Sequence, residues 1–426
     1  MIFDIKKDPT TGEEVYTAVH PTGLRICINP KPGYSKCTAM FATHYGSIDS
    51  TFGLMGGEQT ITIPDGTAHF LEHKLFDEQD GNVFDKFAVL GASANAFTSF
   101  DMTAYYFSAT ENVLENLEIL IKFVQNPYFT PDSIAKEQGI IGQEIRMYED
   151  NPNWRVFFNM LGGLYSNCYV THDIAGTIET ITDIDDTVLY NAYNTFYHPS
   201  NMTLFVSGDV DPAAVYACAE RSLKDIAPLE GEIQRINPDE PSETAEKYIE
   251  QRLSVAIPMF MIGFKDTDMS VSGAARLKKY ITAKILLELL LGKSAPLYKK
   301  LYEQGLINES FGAEYSLTTQ YAFSAIEGES KEPKKVFDTI ITALDGIQIS
   351  EDAYNRAKRV IWGEYVRSFN STDNIVREFV GAQFNGMDYL DYKKAYDCIT
   401  IDDIRTRLES HFCEKNAVLS VVLPIE

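Results

Sequence analysis

The stretch GTAHFLEHKLF, residues 66–76, holds two histidines and a glutamate in the pattern H-x-x-E-H. Residues three and four apart share one face of a helix, so His69, Glu72 and His73 would project the same way. Two imidazoles one turn apart can bind Zn²⁺ at about 2.0–2.1 Å and leave the carboxylate between them beside a metal-bound water. The pattern therefore predicts a helix with two zinc ligands and a general base. The alternative is a pair of partly buried structural histidines with an exposed glutamate.

A catalytic zinc site needs a third protein ligand, which should lie on another element packed against this helix. A helix predicted at 131–149 carries Glu137 and Glu144, seven residues and about two turns apart on one face. With Glu144 as the ligand, Glu137 could accept a hydrogen bond from one of the histidines and orient it. The spacing alone also permits Glu149 or Asp150 as the ligand, and Glu137 could instead be a solvated surface carboxylate.

Alternating and periodic apolar patterns surround the motif in a regular order. The predicted elements of the first half are a strand pair within 14–29, a glycine-ended strand at 37–47, an extended stretch at 91–100, a strand at 103–109, helices at about 111–125 and 131–149, and a closing strand at 201–208. Strands and helices in this mixture predict an α+β fold.

The polar, proline-punctuated segment 227–247 is predicted to link two domains, at 1–226 and 248–426. Two domains agree with the length, because 426 residues exceed what one hydrophobic core normally supports. After the linker the order of elements repeats, with a glycine-ended strand at 253–264, an apolar helix at 273–291 and a final strand at 416–424. This repetition predicts two similar domains related by duplication.

The second copy lacks the metal-binding residues. Placed over the first helix without gaps, residues 282–288 put Lys284 and Glu288 at the two histidine positions and Leu287 at the position of the predicted base. We therefore expect one metal site in the chain, in its first half.

The charge and the cysteines bear on partners and compartment. The 61 acidic residues outnumber the 37 basic ones and give a net charge of −24, which disfavours nucleic acid and anionic membranes as partners. The N-terminal residues lack the apolar core of a signal peptide, and no apolar run is long enough to span a membrane. The six cysteines are scattered and never form C-x-x-C, as is typical of a reduced, cytoplasmic protein.

Taken together, the motifs resemble those of the pitrilysin/insulinase family of inverted zincins, in particular its two-domain, mitochondrial-processing-peptidase-like bacterial branch. The resemblance rests on the H-x-x-E-H pattern followed, 71 residues after its second histidine, by Glu144 in the stretch 139–145. Residues 95–100, 174–179 and 196–202 also fit the family pattern. It implies two similar domains, each a largely antiparallel sheet with helices packed on one face.

The resemblance also implies roles for individual residues. His69, His73 and Glu144 would bind Zn²⁺, Glu72 would be the general base, and Glu137 would matter for activity. The edge strand of the family that pairs with an extended peptide substrate matches Asn95, Ala96, Phe97 and Thr98. The alternative for this stretch is an ordinary sheet edge.

One departure from the family pattern concerns stabilisation of the oxyanion. Family members commonly supply an Arg and a Tyr from their later half, and Pro296 and Asn308 stand at those positions here. The resemblance therefore implies the zinc-bearing subunit of a pair, completed by a related partner subunit, with a homodimer as the alternative.

The sequence thus predicts a cytoplasmic zinc metalloendopeptidase that cleaves peptides or small unfolded polypeptides. Two alternatives share this fold, a non-catalytic scaffold subunit and a zinc-dependent peptide-binding or maturation factor. Glu72 argues against the scaffold, because a scaffold has no physical need for a base between two aligned histidines.

Overall fold

The structure is a computed structural model that describes residues 2–53, 59–79, 81–344 and 346–425. The strands within these ranges are β1 (Asp4–Lys7), β2 (Glu14–Val19), β3 (Arg25–Pro30), β4 (Cys37–Thr43), β5 (Thr51–Gly53), β6 (Thr60–Thr62), β7 (Asp77–Glu78), β8 (Gly81–Asn82), β9 (Ser93–Thr98), β10 (Thr103–Ala109), β11 (Met202–Gly208), β12 (Tyr248–Leu253), β13 (Met259–Lys265), β14 (Gly312–Leu317), β15 (Ala322–Glu329) and β16 (Ala417–Pro424).

The α-helices of the same ranges are α1 (Thr67–Leu75), α2 (Val83–Val89), α3 (Val113–Val124), α4 (Pro131–Glu149), α5 (Pro152–Leu164), α6 (Ile178–Thr182), α7 (Asp186–Phe196), α8 (Pro212–Ser222), α9 (Gly273–Leu291), α10 (Pro296–Glu303), α11 (Pro333–Leu344), α12 (Glu351–Ser368), α13 (Thr372–Phe384), α14 (Tyr392–Asp397) and α15 (Ile401–His411). None of the described helices combines the length and the hydropathy needed to cross a membrane.

The first sheet has the strand order β1-β2-β3-β11-β4-β10-β9. Its pairs are antiparallel except that of β11 with β3, which runs parallel. Every residue of β4 is buried, as expected for a central strand covered on both faces. The strand β9 lies at the edge of the sheet, and no strand of the described residues pairs with its outer side.

The second sheet repeats this plan in the order β12-β16-β13-β15-β14. In each sheet the last strand in sequence lies between an antiparallel and a parallel neighbour. This strand is β11 in the first sheet and β16 in the second, where β16 runs antiparallel to β13 and parallel to β12. The predicted α+β fold of two similar, largely antiparallel halves is confirmed. The strand predicted at 253–264 differs in detail, because β12 ends at Leu253 and β13 begins at Met259.

The predicted packing of helices on one face of each sheet needs one addition. On one face of the first sheet Tyr105 of β10 packs against Phe123 of α3, and Tyr105 pairs across the sheet with Phe41 of β4. Thr38, three residues before Phe41, faces the other way, and its hydroxyl lies 2.8 Å from that of Thr372 at the start of α13. The helix α13 therefore covers the opposite face.

The helix α5 covers the second sheet in the corresponding way. A Cβ atom added to Gly263 in β13 would lie 2.8 Å from both Leu164 and Met160 of α5, so the helix approaches this strand closely. A Cβ atom at Gly163 of the helix would lie 2.5 Å from a methyl group of Val418 in β16. Glycine on both elements therefore permits this short helix-to-sheet distance.

The chain forms two compact units that are discontinuous in sequence. The first contains residues 1–145, 172–237 and 368–384, and the second contains 146–171, 238–367 and 385–426. The sequence predicted continuous domains at 1–226 and 248–426, whereas α13 belongs to the first unit and α5 to the second. Each of these helices buries its apolar side on a sheet from the other half of the chain, and this choice leaves no local sequence signal.

Candidate metal centre and active site

The helix α1 begins at a backbone position that favours glycine. Gly66 precedes the helix with a φ of +90°, in the left-handed region that L-residues with a side chain rarely adopt. A Cβ atom here would also lie 2.5 Å from the carbonyl oxygen of Ala175. The sequence DGT at 65–67 therefore starts the helix at Thr67, two residues before the first histidine of the motif.

The two histidines and Glu144 converge as a group. The Nε2 atom of His69 lies 3.7 Å from one carboxylate oxygen of Glu144, and the Nε2 atom of His73 lies 3.5 Å from the other. One ligand atom from each of the three residues falls within 4.8 Å of the others. The alternatives Glu149 and Asp150 are not part of this group, which is the only such cluster among the described residues. The helix α4 thus presents Glu144 to α1, and of the three acidic residues that the spacing permitted, Glu144 is the one the resemblance implied.

Glu137 contacts one of the histidines from outside this group. Its Oε1 atom lies 2.9 Å from Nδ1 of His73, so a proton on Nδ1 is donated to Glu137 and Nε2 is left as a lone-pair donor. The Nδ1 atom of His69 is buried and has no hydrogen-bond partner among the described residues. The prediction left open which histidine Glu137 contacts, and the structure gives His73.

Glu72 lies between the two histidines in sequence, and its side chain reaches the edge strand. The hydroxyl of Thr98 in β9 donates a hydrogen bond of 2.6 Å to Oε2 of Glu72. Burial raises the pKa of Glu72 above its usual range, and the hydrogen bond from Thr98 opposes that rise. A partly buried carboxylate of raised basicity beside an open cleft is the type of group that takes a proton in catalysis.

Burial and neighbouring charge act differently on the two histidines. Burial, together with the adjacent His73, lowers the pKa of His69 to about 3. Burial alone would lower the pKa of His73 as well, but its hydrogen bond with Glu137 and the charge of Glu72 raise that pKa above the ordinary value. His69 is therefore neutral at neutral pH, the form in which imidazole binds a metal ion.

A cleft of about 340 Å³ opens beside Glu72 and His73. Asn95 and Ala96 of β9 line it, together with side chains that the sequence alone did not single out, namely Phe76, Asp77, Asn82, Phe84, Lys136 and Ile140. The predicted substrate strand therefore borders the same cleft as the predicted base. The remaining lining residues belong to no sequence motif, because the packing of separate elements brings each of them to the cleft.

The strand β9 presents its residues alternately to the two faces of the sheet. Thr98 points to the helix face, where it reaches Glu72, and Phe97 points to the other face. There the guanidinium group of Arg377 in α13 lies 4.4 Å from the centre of the Phe97 ring. The sequence could not predict this contact, because it joins residues from opposite halves of the chain.

The corresponding position in the second unit carries different chemistry. The Nζ atom of Lys284 lies 3.4 Å from Oε2 of Glu364 in α12, whereas His69 faces Glu144 of α4. Lys284, Leu287 and Glu288 line a cavity of about 440 Å³. In the described residues of this unit, no three His, Cys, Asp or Glu side chains bring their ligand atoms within 4.8 Å of one another.

Pro296 and Asn308, which stand where the family pattern has Arg and Tyr, both lie in this unit. Pro296 begins α10, and the side chain of Asn308 donates a hydrogen bond to Glu329.

The donor set fits zinc. Two imidazole nitrogens and one carboxylate are the ligands of a catalytic zinc site with an open fourth position. Their convergence from two helices, and the carboxylate that orients His73, match what such a site requires.

Comparisons with known proteins agree with this geometry. The family model described as insulinase (peptidase family M16) matches residues 63–178, and the model described as peptidase M16 inactive domain matches residues 183–361. The uncharacterized zinc protease YmfH of Bacillus subtilis (strain 168) is 40% identical over 415 residues, which cover 97% of each chain.

Solved structures resemble the whole chain. A crystal structure described as an M16-like peptidase, from Alicyclobacillus acidocaldarius, has a TM-score of 0.92 at 32% identity and covers 100% of this chain and 99% of its own. The structure of a protease from Helicobacter pylori has a TM-score of 0.83 at 16% identity, with 97% of this chain and 100% of its own covered. At this second level of identity the likeness shows the fold alone. Fold, motif and relatives together show that the chain belongs to the pitrilysin/insulinase family of zinc peptidases, peptidase family M16.

Proposed function

We propose that this chain is a zinc-dependent metalloendopeptidase that cleaves peptides or small unfolded polypeptides. The observation that carries the proposal is the position of Glu72, a partly buried carboxylate that lies beside the two histidines on α1 without belonging to the ligand group. A site that only bound zinc would not need this carboxylate. Relatives that are named zinc proteases support the same activity.

His69, His73 and Glu144 would hold the zinc ion, and Glu137 would fix the ring of His73 through its Nδ1 proton. When bound, zinc supplies Lewis-acid polarisation of a peptide carbonyl and makes a bound water more acidic. Glu137 would also keep the Nε2 atom of His73 free for the metal, because it stabilises the tautomer with the proton on Nδ1.

Glu72 would act as the general base. It takes a proton from the attacking water and transfers it to the leaving amine. The raised pKa that burial gives Glu72 strengthens it as a base. The hydroxyl of Thr98 holds one carboxylate oxygen, so the side chain keeps a fixed orientation and its other oxygen stays available for the water.

The substrate would bind as an added strand along β9. An edge strand offers main-chain hydrogen bonds to an extended peptide, which grips it without regard to its sequence. Asn95 and Ala96 border the cleft with Glu72, so a peptide paired with β9 would pass beside the base. The requirement for an extended chain favours short or unfolded substrates.

The proposal includes a related partner subunit that completes the oxyanion site. Pro296 cannot donate a hydrogen bond and Asn308 is engaged with Glu329, so neither replaces the Arg and Tyr expected at these positions. Purification of the chain from its own cells, followed by identification of any bound related chain, would test this part. A homodimer is the alternative composition.

The test of the proposed function compares wild type with Glu72→Gln. The amide cannot accept a proton, so cleavage of a quenched peptide library should fall by at least about 100-fold, while zinc content stays at one ion per chain. Glu149→Gln, at an exposed position of α4, is the matched control and should leave both unchanged. Equal cleavage by wild type and Glu72→Gln would exclude the mechanism.

Zinc content without cleavage by any preparation, including one with its co-purified partner, would instead support the scaffold or the peptide-binding factor. The description of residues 183–361 as an inactive domain does not favour these alternatives, because the ligand group lies outside that range.

A further inference from the structure

The two halves of the chain keep a constant spacing over three consecutive helices. Helices α3, α4 and α5 begin at Val113, Pro131 and Pro152, and α11, α12 and α13 begin at Pro333, Glu351 and Thr372, each 220 residues later. Both α3 and α11 contain twelve residues. Each residue of α3 therefore has a defined counterpart in α11.

In the first unit the helix α8 covers one side of α3. The thiol of Cys218 donates to the carbonyl oxygen of Leu114 over 3.3 Å, and Val215, Cys218 and Ala219 are completely buried. An apolar stripe along α3 is equally covered. Its members are exposed by at most 1%, namely Leu117, Ile121 and Val124.

The counterpart stripe in the second unit is not covered to the same extent. Phe337, Ile341 and Leu344 occupy the equivalent positions of α11, and all three are partly exposed. This stripe of α11 therefore keeps apolar surface that the described residues leave uncovered.

A groove of about 820 Å³ lies at this place. Phe337 of α11 forms one wall, and Ala417 and Leu419 of β16 with Tyr248 of β12 contribute the rest of its apolar surface. Tyr248 is 48% exposed. An eleven-residue helix such as α8 is roughly 16 Å long, and an apolar groove between a helix and a sheet suits one face of such a helix.

The rim of the groove is basic. Lys247, Lys334 and Lys415 line it against a single acidic side chain, Glu414. The side chain of Lys334 is 77% exposed, although it pairs with Asp338 one turn away. This local excess of positive charge contrasts with the net charge of −24 for the whole chain. Acidic side chains beside the apolar face of a bound helix would complement it.

We propose that this groove binds an amphipathic helix of another protein, with a narrow apolar face flanked by acidic residues. The helix would occupy in the second unit the place of α8 in the first. A second copy of this chain is disfavoured as the source, because its own α8 is already buried on α3 and could bind only if it first detached. The inference does not depend on the peptidase activity.

The test uses two labelled helical peptides of about 16 residues with the same Leu and Ala stripe, one flanked by Glu and the other by Lys. Their binding to the full chain is measured by fluorescence anisotropy. The Glu peptide should bind at least about tenfold more tightly, and Phe337→Asp should weaken it by about tenfold or more. Val89→Asp, at a position 85% exposed and outside the groove, is the control and should bind as wild type does.

A charge reversal separates specific binding from general adhesion. Lys334→Glu combined with Lys415→Glu should reverse the preference, so that the Lys peptide binds more tightly. Equal binding of the two peptides, or no effect of Phe337→Asp in a variant that melts as wild type does, would overturn the proposal. Sedimentation that shows a wild-type dimer broken by Phe337→Asp would also overturn it, because the occupant would then be a second copy.

Discussion

The hydroxyl of Thr98 donates a hydrogen bond of 2.6 Å to the carboxylate of Glu72 and so ties the edge strand β9 to the helix α1. One side chain thereby connects the strand proposed to hold the substrate with the residue proposed to act on it. A peptide that shifted β9 on pairing with it would also move the hydroxyl group that holds the carboxylate of Glu72. In the proposed function, the positions of substrate and base would therefore be coupled through Thr98.

Thr98→Val should lower kcat while zinc content stays unchanged. Valine keeps the shape of threonine but cannot donate, so the carboxylate of Glu72 loses a hydrogen bond worth about 1.5–3 kcal/mol. If the bond holds Glu72 in its reactive orientation, kcat falls by roughly 10- to 100-fold. Thr98→Ser retains the hydroxyl and should recover most of the rate. Steady-state kinetics on a quenched peptide would contradict this if Thr98→Val matched Thr98→Ser.

Glu137→Gln should weaken zinc binding without removing it. The carboxylate contacts the His73 ring over 2.9 Å. The amide oxygen of glutamine can still accept from Nδ1 but without the negative charge, and mutation of such an outer partner typically costs about 10- to 100-fold in metal affinity. Competition with a chromophoric chelator would measure the change. Glu149→Gln on the same helix is the control, because its side chain lies outside the ligand group. An unchanged affinity in Glu137→Gln would show that the charge of Glu137 does not support metal binding.

Part of this site could be read from sequence because helical spacing is rigid. His69, Glu72 and His73 share a face by their numbering alone, and α4 spans 131–149 as predicted, bounded by Pro131 and by the Asn-Pro pair after it. Spacing left Glu149 and Asp150 open beside Glu144 as the third ligand, and the family resemblance selected Glu144. Prediction of these residues required only that the helices α1 and α4 were each placed correctly and that the two were in contact.

Other features could not be predicted because they depend on packing between distant segments. The hydroxyl of Thr98 meets Glu72 only because β9 lies beside α1, and Arg377 reaches Phe97 only because α13 packs on the first sheet. An amphipathic pattern shows that a helix has an apolar side and does not show which sheet covers it. The exchange of α5 and α13 between the two units was missed for this reason.

Asp266→Asn should destabilise the second unit and remove part of its acid sensitivity. Asp266 is 5% exposed and accepts hydrogen bonds from Arg407, Lys279 and Tyr315. Burial alone would raise its pKa, but the bond and charge of Arg407 hold the pKa well below the usual range. Removal of one partner from such a buried group typically costs about 3–5 kcal/mol, measurable by urea unfolding.

The pH dependence follows from the direction of that shift. The folded-state pKa of Asp266 is lower than the unfolded one, so its contribution to stability is complete above the unfolded value of about 4. It declines as the pH falls below that value toward the folded pKa. Wild type should therefore lose more stability than Asp266→Asn between pH 5 and pH 3. Parallel stability curves for the two proteins would contradict the assigned pKa direction.

Gly66→Ala should destabilise the start of α1 and weaken zinc binding at the same time. Alanine pays about 1–2 kcal/mol for the left-handed backbone at φ +90°, and its Cβ would lie 2.5 Å from the Ala175 carbonyl oxygen. The helix start must then shift, and His69 shifts with it. Gly139→Ala on α4, where a Cβ meets nothing within 4 Å, is the control and should stabilise by about 0.5–1 kcal/mol. If Gly66→Ala and Gly139→Ala had the same free energy of unfolding and the same zinc affinity, the backbone at residue 66 would not set the position of the histidines.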